Sequence, residues 1–207
     1  MEGPAPSGSV RFFDAQFQRQ LRSGDFALNP FERAALPYLR GQLLDAGCGL
    51  GNLAVAAAAG GCSVLALDGS PAAIAHLNTL AAECGLPIRA EEADLREVEP
   101  PPAAFDAVAA IGLVMFFDCP TARRQLARLQ AAVRPGGVAA INVLVEGTTF
   151  LDFFGSDPYC LFGRDELARA FEGWQVLEQR TDDFDAPDGR LKRFSTVIAR
   201  RPPAGHR

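Results

Sequence analysis

Histidine is scarce in this chain: its 207 residues contain two. His206 sits in a Pro/Gly tail, which leaves His76 alone for any Ser-His-Asp arrangement or His-rich metal site, and argues against both chemistries. No CxxC pair occurs either. The five cysteines (Cys48, Cys62, Cys84, Cys119 and Cys160) are odd in number and scattered, so neither a disulfide framework nor a zinc knuckle is expected. Reduced thiols in a cytoplasmic protein are the simplest expectation. Basic residues are in deficit, with 20 Lys plus Arg against 25 Asp plus Glu and a net charge of −5. Such a field repels phosphate polymers and anionic membranes, so no nucleic-acid or membrane partner is expected. The opening MEGPAPSGS lacks a basic segment followed by an apolar one, the pattern of an export signal. Charge is missing altogether from Ala46 to Leu67, a stretch long enough to span a bilayer. Five glycines divide that stretch into a turn, a short Ala-rich helix and a β-branched/Leu strand, the composition of a buried βαβ unit.

What is present is an ordinary globular composition, 48% hydrophobic and 22% charged, in a chain long enough to bury one core. Residues 1–9 and 201–207 are rich in Pro, Gly, Ser and Ala and are expected to be flexible ends of a single domain over 10–200. Within it, 10–40 carries two helical pieces. The first is marked by Val10, Phe13, Phe17 and Leu21, and the second by Phe31, Ala35 and Leu39 with Pro37 as a break. Strands are then expected at 42–46, 62–68, 87–91, 105–111 and 137–144, and helices at 51–59, 71–84 and 120–133. A loop over 146–162, a helix at 163–171 and an antiparallel hairpin of strands 174–181 and 191–200 about Ala186-Pro187-Asp188-Gly189 complete the chain. Repeated β then α gives an α/β fold, a Rossmann-like seven-stranded, mostly parallel sheet with helices on both faces and an antiparallel C-terminal strand.

The chemistry concentrates at three strand ends. "LLDAGCGLG" places Asp45, Gly47, Cys48, Gly49 and Gly51 at a strand-to-helix turn, where an open α/β sheet binds its ligand. "LALDGS" ends the next strand with Asp68, Gly69 and Ser70, so that a carboxylate can accept hydrogen bonds from ribose hydroxyls. "EEADL" brings Asp94 and Leu95 to the same edge. A nicotinamide dinucleotide is the rival ligand, but its GxGxxG pattern requires glycine at position 52, where this chain has Asn52. The glycines alone would also suit a tight turn with no ligand.

This DxGxGxG, acid, acid series resembles the class I S-adenosylmethionine (SAM)-dependent methyltransferases over residues 40–145. The resemblance implies a SAM-binding core over 41–145, with acceptor-side elements over 146–200. It also implies a cofactor with its methionine part over the glycine turn, its ribose on Asp68 and its adenine read by Asp94 and the Leu95 amide. Ile111, Gly112 and Met115 would lie beside the methyl-transfer site, although an apolar strand end such as this is equally suited to a core. S-adenosylhomocysteine (SAH) would be the product.

The tail narrows the kinship. "DELARAFEGWQVLEQ", "LKRFSTVIARR" and "GLVMFFD" resemble the bacterial tellurite-resistance methyltransferases, which implies a small-molecule acceptor, a chalcogen oxyanion such as tellurite among them. That family has a histidine near the end of the sixth strand, whereas this chain reads "TDDFDAPDG". Methyl transfer from a sulfonium needs mainly in-line alignment and exclusion of water, so a thiol or an amine suits the lack of a catalytic histidine equally well. An oxyanion would want a cation, for which Arg193 and Lys192 are the expected orienting residues, with Arg164 and Arg190 behind them. Solvated surface cations would look the same. The aromatic loop containing Phe150, Phe153, Phe154, Tyr159 and Phe162 is expected to wall the acceptor, through Phe153 and Tyr159 above all. Its alternative is a satellite core. Cys160 is read as a packed thiol, and Phe12, Phe13 and Phe17 as a cover for the cofactor or as plain packing. No metal is expected, and the chain is expected to act as a monomer or homodimer. Two other functions remain open, a SAM-binding regulator without methylation activity and an NAD(P)-dependent reductase.

Overall fold

The computed structural model describes residues 8–24 and 26–205. The expectation of flexible ends therefore falls in part outside the described residues, as do His206 and the side chains of Val10, Phe12 and Leu21. Helices α1 (Gly8–Ser23) and α2 (Pro30–Ala35) precede the sheet. Asn29 starts α2 by accepting hydrogen bonds from the Phe31 and Glu32 amides, while Glu32 accepts the Asn29 N–H, the reciprocal arrangement of a capping box. Pro37 falls in a 3₁₀ turn, Leu36–Tyr38, that ends the helical lead-in.

The strands are β1 (Gln42–Ala46), β2 (Ser63–Asp68), β3 (Ile88–Glu92), β4 (Phe105–Ile111), β5 (Val133–Leu144), β6 (Gln175–Ala186) and β7 (Arg190–Arg200). They form one sheet in the order β3-β2-β1-β4-β5-β7-β6. Pairings from β3 through β5 are parallel, and β7 runs antiparallel to both β5 and β6, so the last strand alone is reversed. Helices α3 (Asn52–Ala59) and α4 (Pro71–Cys84) cover one face, where Leu53, Ala57, Ile74 and Leu77 pack on Leu43, Val64 and Ala107. Helices α5 (Cys119–Ala132) and α6 (Glu166–Ala170) cover the other, where Leu126, Leu129 and Leu167 pack on Leu44, Val108 and Ile141. Right-handed crossovers dictate this division, because the chain moves outward from β1 to β3 and then returns to start β4 beside β1. The uncharged stretch 46–67 is a turn, α3 and β2, and no helix among the described residues is long and apolar enough to cross a membrane.

Three departures from expectation have local causes. Strand β5 starts at Val133, not 137, because Val133 pairs with Phe105 before a register shift resumes at Val138. Strand β6 continues to Ala186 through "TDDFDA", because pairing with β7 sets Asp183 opposite Arg193, and a cross-strand ion pair offsets the poor strand propensity of the acids. Cys119 and Cys160 are joined in a disulfide across 41 residues, which corrects the expectation of reduced thiols throughout; Cys48, Cys62 and Cys84 are free. Spacing along the chain could not show this pair. The segment after β5 folds back onto the start of α5, with the Cys160 N–H donating to the Met115 carbonyl and Val145 bridging to Phe162.

Candidate functional site

The strand order reverses between β1 and β4, and a cavity of about 1030 Å³ opens there at the carboxyl ends of β1 to β4. Its floor is the glycine turn. Gly47, Gly49 and Gly51 all have positive φ, and a Cβ at Gly51 would lie 2.4 Å from the Leu77 side chain, so α3 can approach α4 only with glycine at its cap. A Cβ at Gly49 would lie 3.0 Å from the Phe17 ring, which places α1 directly over the turn.

Asp68 closes this floor. One carboxylate oxygen accepts the Gly49 N–H at 2.8 Å and the other the Ser70 N–H at 2.9 Å. The far end is formed by Asp94, Leu95 and Arg96, where Arg96 binds Asp94 through two guanidinium hydrogen bonds of 2.8 and 2.7 Å and holds its carboxyl below the usual carboxylate range. Of the twelve expected cofactor residues, the cavity is lined by Gly47, Cys48, Gly49, Asp68, Gly69, Ser70, Asp94, Leu95 and Ile111. Gly51 shapes the turn from outside the cavity.

Met115 is a correction. It is buried against Leu144 and Phe154, with its sulfur accepting the Leu144 N–H, so it faces the core and not the cofactor. Asp45 stands behind the wall, 3% exposed, on the same face of β1 as Leu43, with one carboxylate oxygen lacking a partner. Its carboxyl is pushed up to about 8, by burial first and then by the charges of Glu32 and Asp68, against a hydrogen bond from the Ala54 backbone. The folded protein thus holds a proton that the unfolded chain releases near 3.8, so stability without ligand falls as pH rises between these values and levels off above about 8. An Asp45→Asn variant is expected to flatten that decline in thermal-melting temperature. An unchanged slope would show that Asp45 is not its source.

The acceptor-side expectations are redistributed. Phe13 and Phe17 line the cavity, and Phe13 meets Phe116 edge to face at 5.0 Å; Phe12 is outside the described side chains. Phe153 and Tyr159 do not line it. Phe153 packs in an aromatic chain with Phe116, Phe150 and Phe154, and Tyr159 stacks on Phe154 at 4.3 Å, so this loop is a satellite core propping the Phe116 wall. Arg193, Lys192 and Arg164 are likewise absent from the wall. Strand β7 lies two places beyond β4, so Arg193 and Arg164 instead share a 330 Å³ cavity with Asp183, to which Arg193 is bound bidentately. Lys192 lies over the Phe150 ring at 5.6 Å, and Arg190 pairs with Asp152. Sequence reasoning missed Gln16, Gln20, Asn29 and Glu32, which line the cavity from α1 and the start of α2. The one local signal, a capping-box N-x-x-E pattern from Asn29 to Glu32, could have marked the helix start but not the direction of its side chains.

The glycine floor, the acids at the next two strand ends and the cavity at the switch point are the ligand-binding features of a Rossmann-like sheet. Residues 43–137 match the family described as methyltransferase domain. The chain is 31% identical over 170 residues to "Hemagglutinin 1" of Eikenella corrodens, covering 77% of this chain and 54% of that protein, so it spans about half of this curated relative. Among solved structures it is similar to TehB from Haemophilus influenzae (TM-score 0.75, 19% identity, covering 88% of this chain and 65% of that one). It is also similar to the Burkholderia thailandensis 1,6-didemethyltoxoflavin-N1-methyltransferase with bound 1,6-didemethyltoxoflavin and SAH (TM-score 0.64, 21% identity, covering 98% and 93%). At these identities the two structures speak for the fold alone.

Proposed function

We propose that the protein transfers the methyl group of SAM to a small molecule bound beside Phe13 and Phe116. The observation that carries this reading is the continuity of one cavity from the Asp68 and Asp94 end to those two rings. SAM would lie along the glycine floor, with Asp68 turned to the ribose hydroxyls and Asp94 and the Leu95 amide at the adenine. Its sulfonium supplies an activated methyl group. The chain's own residues would then have to hold the acceptor's lone pair in line and exclude water, which Phe13, Phe17, Phe116 and Leu113 can do from α1 and the β4 end. Gln16, Gln20 and Asn29 offer neutral hydrogen-bonding groups along the same wall.

Kinship of the tail with the tellurite-resistance methyltransferases makes a chalcogen oxyanion one acceptor to test. The lining bears on that choice, because among the described residues it holds Glu32, Asp68, Glu92, Asp94, Asp118 and Asp157 against Arg96 alone. A neutral thiol or amine suits this wall better than an anion, and so does a small molecule better than a nucleic acid. Incubation with SAM and, separately, tellurite, selenite, small thiols and amines, read as SAH formed, tests the reading. Turnover with at least one acceptor is expected. SAH binding without turnover in any arm would favour a SAM-binding regulator instead.

A further inference from the structure

We propose that Glu32, a residue of α2 outside the glycine, Asp68 and Asp94 motifs, is a cofactor ligand whose carboxylate binds the α-ammonium group of SAM. The inference rests on SAM being the cofactor and goes beyond it by giving the N-terminal lead-in a binding role.

Three observations place the side chain. Glu32 lines the same cavity as Asn29 and the glycine turn, the end at which the methionine part would lie. Its capping-box bond to the Asn29 N–H at 2.8 Å uses one carboxylate oxygen, which orients the group and leaves the other for a second donor. Its charge also acts on Asp45, buried behind the turn, so a second acid lies near it beneath the cavity wall.

Among the described residues the one cation lining the cavity, Arg96, is held by Asp94 at the other end. Among the described residues no ion pair includes Glu32 or Asp45. Asp45 is buried with an oxygen that has no hydrogen-bond partner. Burial raises the Glu32 carboxyl above its ordinary value, in the direction expected for an acid kept from water with no cation beside it. An ammonium group brought in by the ligand supplies the missing charge, and its N–H donors form charge-assisted hydrogen bonds with the Glu32 carboxylate. A capping glutamate with only a structural role needs neither the cavity position nor the second buried acid.

The test compares SAH with 5′-methylthioadenosine, a nucleoside that lacks the amino-acid part, by calorimetric titration of wild type and Glu32→Gln. Gln at this position preserves the capping box, so α2 is retained. SAH affinity is expected to fall by about tenfold or more in the variant, while 5′-methylthioadenosine binds both proteins equally. Equal weakening of both ligands, or of neither, would overturn the assignment and leave Glu32 a helix cap. Failure of wild type to bind SAH at all would overturn the cofactor reading, and the Glu32 role with it.

Discussion

Replacing Asp68 with alanine is expected to weaken SAH binding by about 100-fold, the scale of two hydrogen bonds to a charged acceptor. Two losses coincide in this variant. The ribose hydroxyls lose their acceptor, and the Gly49 and Ser70 amides lose the two carboxylate oxygens that hold the floor in shape. Asp68→Asn separates them, since its single carbonyl oxygen can still accept one amide, so it should fall between wild type and alanine. NADH should bind none of the three proteins. Calorimetric titration reads all of this directly. Undiminished SAH binding by Asp68→Ala would remove the ribose role and return the acid to turn-making alone.

Reducing the Cys119–Cys160 disulfide is expected to give the largest change in stability. Closing 41 residues restricts the unfolded chain by about 4 kcal/mol in the chain-entropy account. For a protein of this size that corresponds to a fall in melting temperature of about 10 °C. Calorimetry with and without a reductant measures it, and Cys119→Ala should melt at the lower temperature under both conditions. Thiol titration in denaturant without reductant should count three reactive cysteines, Cys48, Cys62 and Cys84. A count of five, with a melting temperature indifferent to reductant, would show that the two sulfurs are not joined. The disulfide also matters for the site, since Asp118 precedes Cys119 and Asp157 and Pro158 precede Cys160, and these three neighbours line the cavity.

The glycine turn and the acids at one end of the cavity were legible because their determinants are local. A glycine turn after a strand and a carboxylate at the next strand end are each set by a few adjacent residues, and parallel βαβ connectivity then brings those ends to one edge. Nine of the expected cofactor residues line the cavity for that reason. Met115 failed because a residue past the end of β4 sits in a 3₁₀ turn, Val114–Phe116, whose rotation periodicity does not reveal. Arg193 and Lys192 failed for a different reason. Being at the ligand edge of the sheet does not make a strand a neighbour of the cavity, and β7 lies across β5 from β4.

Alternation of strand and helix, the glycine spacing and the acids at the ends of β2 and β3 therefore determined the fold class and one end of the cavity from sequence alone. Tertiary structure decided what no window of the chain contains. It laid α1 over the glycine turn so that Phe17 meets Gly49, turned Glu32 toward the same end of the cavity, and paired Cys119 with Cys160. It also drew Arg193 into an ion pair with Asp183. The physical reason is common to all four. Each depends on the docking of segments far apart in the chain, which the burial of apolar surface and cross-strand register select after the local elements have formed.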